Sequence, residues 1–181
     1  MAVQVEVIPQ AGVVVDGRAI RLGGGKADVE QILGHPDTIF ENSLYYFENE
    51  LRIVLDKAGL AAILADVEAG RVEFIELLGG PDGTFQPVLF GLEAFQADPE
   101  AVVELLKEKN GADFLDTEKG YSYAFKKLSV GLYRESVPQN VPEMIEEAEA
   151  DGNPLSEEDI EYEKRRTHWA TVGIGVENYY T

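Results

Sequence analysis

The chain has 181 residues, enough for one sizeable core or two small units packed together, and its 45% hydrophobic content argues against wholesale disorder. Thirty-four acidic residues against fifteen basic ones give a formal charge of −19, a surface that repels phosphate backbones and anionic lipid headgroups. Cysteine is absent, which excludes disulfides, thiolate metal sites and thiol nucleophiles.

No stretch approaches the roughly 18 apolar residues of a membrane span. Met1 to Glu6 lacks the basic and long apolar regions of an export signal, so a cytoplasmic location is the expectation. From there the elements read in chain order. Val3, Val5 and Val7 alternate with Gln4 and Glu6, the mark of a half-buried strand. Val13 to Val15 is a second strand, turned by Asp16-Gly17, with Ile20 and Leu22 continuing beyond. Gly23-Gly24-Gly25-Lys26 lacks the spacing of a phosphate loop and reads as a flexible strand-to-helix turn. Ala27 to Leu33 then predicts a short amphipathic helix, capped by Gly34.

Ser43 to Asp56 predicts two strands parted by a turn at Asn49-Glu50. Ala58 to Gly70 reads as a short helix or an apolar loop, and Arg71 to Leu78 as a strand. Gly79 to Gly83 is the strongest break and divides a first unit, residues 1–80, from a second, residues 84–181. Asp98 caps a predicted helix with Pro99 and Glu100 in its first turn. Tyr121 to Arg134 alternates, and Trp169 to Val176 predicts the last strand. Leu44 to Phe47 and Leu51 to Leu55 match Tyr121 to Phe125 and Leu128 to Leu132 in order and spacing. The expectation is an α+β protein of two related helix-plus-antiparallel-strand units in tandem.

The second unit carries an insertion over residues 135–167. Between Pro142 and Glu163 it holds ten acidic residues and no basic one. Met144, Ile145 and Ala148 suggest one helix. Ser156 with Asp159 forms a capping box for another, and Lys164-Arg165-Arg166 complements the dipole at its end. The segment is expected to be an acidic helical excursion at the surface.

The chemistry-bearing residues are sparse. His35 lies in a helix-terminating turn close to Asp37, and His168 at a strand end; neither has a second histidine nearby. Glu149 to Asn153 has calcium-loop chemistry without the required register, and no paired carboxylates stand out. No catalytic residue, metal site or cofactor is expected.

The run Leu22-Gly23, Val29, Ile32-Leu33-Gly34 and Pro36-Asp37 resembles the signature of the β-lactamase inhibitory protein fold and the related outer-membrane assembly lipoproteins. The resemblance covers residues 20–78, and residues 90–176 by pattern. It implies a short helical segment followed by an antiparallel sheet, carried twice. Without cysteines or an export signal, the chain fits a cytosolic relative of that fold, such as an immunity protein that neutralises a toxin.

The preferred functional expectation is therefore a non-enzymatic module that binds a basic protein, a toxin or nuclease among the candidates, with no nucleic-acid or membrane contact. Its candidate partner-binding residues are the strand tyrosines Tyr45, Tyr121, Tyr123 and Tyr133. The acids Glu143, Glu146, Glu147, Glu157, Glu158 and Asp159 would steer the encounter. Two alternatives stay open: a small-molecule or enzymatic site between the units using His35, Asp37 or a carboxylate pair, and a structural homo-oligomer subunit.

Overall fold

The computed structural model describes residues 2–58, 70–111 and 113–181, and is a mixed α+β fold with two sheets and, among the described residues, four helices. Valine alternation produces β1 (Val3–Ile8), which turns into β2 (Gly12–Val15) and β3 (Arg18–Arg21). Asp16 and Gly17, with φ of 48° and 74°, make the left-handed two-residue turn that suits the twist of a hairpin. The glycines after β3 are tied down: Gly23 N–H donates to the Val72 carbonyl at 2.7 Å, and Val72 N–H returns to Gly24 at 2.9 Å. They lead into α1 (Lys26–Leu33), before which the N-cap Gly25 N–H donates to the Asp28 carboxylate at 2.9 Å, with Gly34 closing the helix at φ 82°.

Three strands follow, β4 (Thr38–Phe40), β5 (Ser43–Tyr46) and β6 (Leu51–Leu55), then β7 (Val72–Leu77). The expected helix or apolar loop at Ala58 to Gly70 falls, between its two end residues, outside the described residues. After the turn at 79–83 the chain forms β8 (Phe85–Leu89) and β9 (Leu92–Glu93), joined by Phe90-Gly91 at φ 51° and 86°. Next come α2 (Pro99–Asn110), capped by the Asp98 carboxylate on Ala101 N–H at 2.9 Å, and the strands β10 (Phe114–Asp116), β11 (Ser122–Phe125) and β12 (Val130–Tyr133). Helices α3 (Asn140–Ala150) and α4 (Glu157–Arg165) precede the last strand, β13 (Thr171–Gly175).

The smaller sheet runs β3-β2-β1-β8-β9, with β1 and β8 parallel. The larger runs β10-β11-β12-β13-β7-β6-β5-β4 and is antiparallel throughout. The runs of chain before and after the 79–83 turn share both sheets. Val5 faces Pro87 across the β1–β8 pair, and Ile75 faces Ile174 across the β7–β13 pair. Inward residues of both sheets and of the first two helices form one continuous core, among them Val5, Val13, Val29, Leu51, Ile75, Val102, Leu132 and Trp169.

The outward face of the large sheet is covered at its centre by the chain's last residues. Tyr179 stacks on Phe74, with ring centroids 4.5 Å apart, and a Cβ on Gly131 or Gly173 would collide with the rings above. Those glycines are there because aromatic rings lie directly on the backbone.

Two tyrosines are expected to make this fold alkali-sensitive. Burial, then the charges of Glu30 and Asp37, pushes the Tyr46 phenol far up; burial, then Tyr179 and Glu76, does the same to Tyr180. Below the ordinary tyrosine value of about 10, folded and unfolded chains both keep these protons and stability is unaffected. Above it the unfolded chain ionises first, so each tyrosine removes about 1.4 kcal/mol of stability per pH unit. Urea melts at pH 9 to 11 should show that decline. Tyr46 is also 2% exposed, and its hydroxyl finds no hydrogen-bond partner among the described residues. Tyr46→Phe should therefore gain about 1 kcal/mol at neutral pH and flatten the alkaline slope; a loss of stability at neutral pH would refute the orphaned-hydroxyl account.

Candidate functional site

The strand order sends the β5–β6 loop, the 79–83 turn, the β10–β11 turn and the α3–α4 segment to the same end of the large sheet. This end carries the helical acids together with Glu48, Glu50, Asp82, Glu118 and Glu135, whereas Lys126 and Lys127 turn the chain at the opposite end.

Helices α3 and α4 are fastened to the rest of the fold at the start of α3 and the end of α4. Val141 is buried, and Asn140 Nδ2 donates to the Tyr121 hydroxyl at 2.6 Å. Ser156 and Asp159 form the reciprocal cap that opens α4, and the Ser156 hydroxyl and backbone N–H, both donating to the Asp159 carboxylate, lower its pKa. At the far end of α4, Arg165 grips Asp82, its Nε 3.0 Å from Oδ2, and Arg166 reaches Glu135 at 3.1 Å and Glu163 at 3.0 Å. The cations that could have neutralised the segment are spent on holding it, apart from Lys164 beside Glu161. Glu143, Glu146, Glu147, Glu149, Asp151, Glu157 and Glu158 are exposed and have no ion-pair partner among the described residues.

The second feature is the β5–β6 loop. Tyr46 pairs with Leu51, so residues 47–50 must reverse the chain, and they do so with Phe47, Glu48 and Asn49 all left-handed at φ 55°, 55° and 73°. Asparagine tolerates this region, but a phenylalanine and a glutamate there cost about 1–2 kcal/mol each. Glu48 N–H donates to the Asp37 carboxylate at 3.2 Å. Glu50 accepts the Phe85 N–H at 3.0 Å, and its own carbonyl receives Leu78 N–H at 2.9 Å. The Phe47 ring, 40% exposed, rests 4.5 Å from that of Phe85. Beside it opens a cleft of about 590 Å³ walled by Val15, Ile32, Leu33, Phe47 and Phe85, with Asp16, Glu48, Glu50 and Arg18 at its rim. Arg18 is occupied, donating to the Ile32 carbonyl at 2.7 Å. Glu48→Gly should relieve one left-handed residue at the expense of unfolded-state entropy, a net gain of about 0.5 kcal/mol in urea denaturation. A destabilised variant would show that the loop carries no strain.

The histidines do not converge. His35 is almost wholly exposed, 3.8 Å from Glu30, while His168 places Nδ1 3.2 Å from the Phe95 carbonyl. His168 does line a cavity of about 220 Å³ with Gly79, Gly80, Tyr162, Arg165 and Arg166. Its arginines are the ones already paired with Asp82, Glu135 and Glu163. Among the described residues no three His, Asp or Glu side chains gather as metal ligands. No helix among them is long and apolar enough to cross a membrane.

The four tyrosines scatter. Tyr45 and Tyr133 lie on the outward face of the large sheet, Tyr45 beneath the Arg52 guanidinium at 5.8 Å and Tyr133 45% exposed. Tyr121 stands just before β11, anchoring α3. Tyr123 points inward among Phe114, Phe125 and Trp169, where burial, then Asp116 and Glu100, raises its phenol. Phe40, Phe47 and Tyr162 are also exposed, and no alternation or charge pattern marks them as candidates. Only the turn position of Phe47, beside Glu48-Asn49, could have singled it out.

Against known proteins, the chain matches no family model, no curated protein and no solved structure.

Proposed function

We propose that this chain is a non-enzymatic module that binds a basic protein and neutralises it, as an immunity or inhibitor protein does. The supporting observation is the acidic end of the large sheet, where seven exposed carboxylates of the α3–α4 segment lack cationic partners while Arg165 and Arg166 are paired with Asp82, Glu135 and Glu163. Such a surface draws a basic partner from a distance and repels nucleic acid. We also read the chain as a duplicated unit. Each run holds a two-residue left-handed hairpin turn, a helix, three antiparallel strands and a last strand, with α3–α4 inserted before the final strand of the second. That reading fits the resemblance to tandem inhibitory proteins, and a cytoplasmic setting suits a chain without cysteine.

The experiment is capture from the source cell at low and high salt, using the wild-type chain and a variant with Glu143, Glu146, Glu147, Glu157 and Glu158 changed to glutamine. Asp159 is spared because it caps α4. The wild type should enrich a basic protein at low salt, and the variant should bind it at least tenfold more weakly, about 1.4 kcal/mol. Equal binding by both chains would sink the proposal. The cavity beside His168 favours a second reading, a small-molecule site between the two runs. If so, a metabolite panel should raise the melting temperature of the wild type and not of His168→Ala.

A further inference from the structure

We infer that the cleft beside residues 47–50 is the anchor site of the same partner-binding end, and that it takes an apolar or aromatic side chain flanked by lysine or arginine on an extended segment of the partner. This rests on the basic-partner reading above and adds to it a specific point of insertion. The cleft and the α4 helix lie on either side of the 79–83 turn. Glu50 packs against Gly79 on one side, and Arg165 holds Asp82 on the other. A partner drawn to the helical acids therefore arrives beside the cleft.

The walls and rim select the occupant. Val15, Ile32, Leu33 and Phe85 supply an apolar floor, and the Phe47 ring stands half-exposed as one jaw. At the rim three carboxylates, Asp16, Glu48 and Glu50, outnumber a single cation, Arg18, one nitrogen of which donates to the Ile32 carbonyl in the last turn of α1. An apolar anchor between cationic neighbours fits that pattern, whereas an acidic segment would meet three carboxylates against one cation and a net repulsion. The loop that forms the jaw is the stretch with three consecutive left-handed residues, held by Asp37 and Phe85. Backbone strain retained at an exposed aromatic is the pattern of a preorganised binding element.

The test is nitrogen–proton NMR of the full chain with three capped tripeptides, Lys-Trp-Lys, Lys-Ala-Lys and Glu-Trp-Glu, at millimolar concentration. Lys-Trp-Lys should shift the amides of Val15, Ile32, Phe47 and Phe85. Lys-Ala-Lys should move only α3–α4 signals, and Glu-Trp-Glu neither set. Phe47→Ser should weaken the cleft response to Lys-Trp-Lys at least fivefold, and Glu48→Gln at least twofold, with the α3–α4 response unchanged in both. If Lys-Trp-Lys moves α3–α4 alone, the anchor site is wrong and the acidic docking surface survives. Equal cleft binding of Glu-Trp-Glu overturns the charge selection, and silence in both regions overturns the anchor site together with the reading it rests on.

Discussion

Replacing Trp169 with alanine is expected to lower the unfolding free energy by about 4 kcal/mol, the largest single effect in this protein. Trp169 has no exposed surface. Its indole N–H donates to the Pro99 carbonyl at 2.9 Å, in the first turn of α2. Tyr123 meets it edge-on at 5.8 Å, and the Arg134 guanidinium lies 4.5 Å from the ring centre. Alanine removes the apolar contact and the indole hydrogen bond, and leaves a cavity the rigid sheet cannot close. Trp169→Phe keeps most of the volume and should cost about half as much. Because Trp169 is the only tryptophan, circular dichroism rather than fluorescence must follow the urea melt. A loss below about 1.5 kcal/mol in the alanine variant would contradict this account of the core.

Arg134→Leu is expected to cost about 3 kcal/mol, second only to Trp169. The arginine is 2% exposed and ties three distant segments together. Its Nε donates to Gly120 O at 2.8 Å in the β10–β11 turn, Nη1 to Thr167 O at 3.2 Å after α4, and Nη2 to Glu100 at 3.0 Å in α2. Leucine fills part of the space but leaves two carbonyls without donors, each worth about 1–3 kcal/mol when buried. Lysine should not rescue it, since one ammonium cannot serve three acceptors in a planar fork. The two sites touch, so the double variant should lose clearly less than the sum of the singles. Thr167 lies at the root of the acidic helices. Amide exchange in Arg134→Leu should accordingly rise first around residues 135–168, before the rest of the sheet opens.

Much of this was readable from composition and pattern. The valine alternation of β1, the caps of α1, α2 and α4, the Asp16-Gly17 turn and the acidic run 142–163 are local signals, in which each residue type meets a requirement of its own backbone. The functional candidates divide differently. The helical acids could be named from sequence because a segment with ten carboxylates and no base has nowhere to be but solvent. The tyrosines could not be assigned, because alternation says that successive side chains take opposite faces without saying which face is covered.

Tertiary structure decided the rest, through pairings and contacts between residues far apart in the chain. β7 lies beside β13 and β1 beside β8, which makes one core of two runs. Tyr123 turns inward and Tyr133 outward through the register of β11 on β12. Arg165 and Arg166, predicted only to complement a helix dipole, instead reach Asp82 and Glu135. The three left-handed residues of the 47–50 loop, and the cleft they border, depend on Phe85 and Ile32, which no local pattern joins to them. Local propensity is fixed by neighbours along the chain, so composition and pattern are enough to set the elements and the sign of the charge. Register, sheet order and side-chain pairing depend on long-range burial, so only the folded chain determined where that charge gathers and what stands beside it.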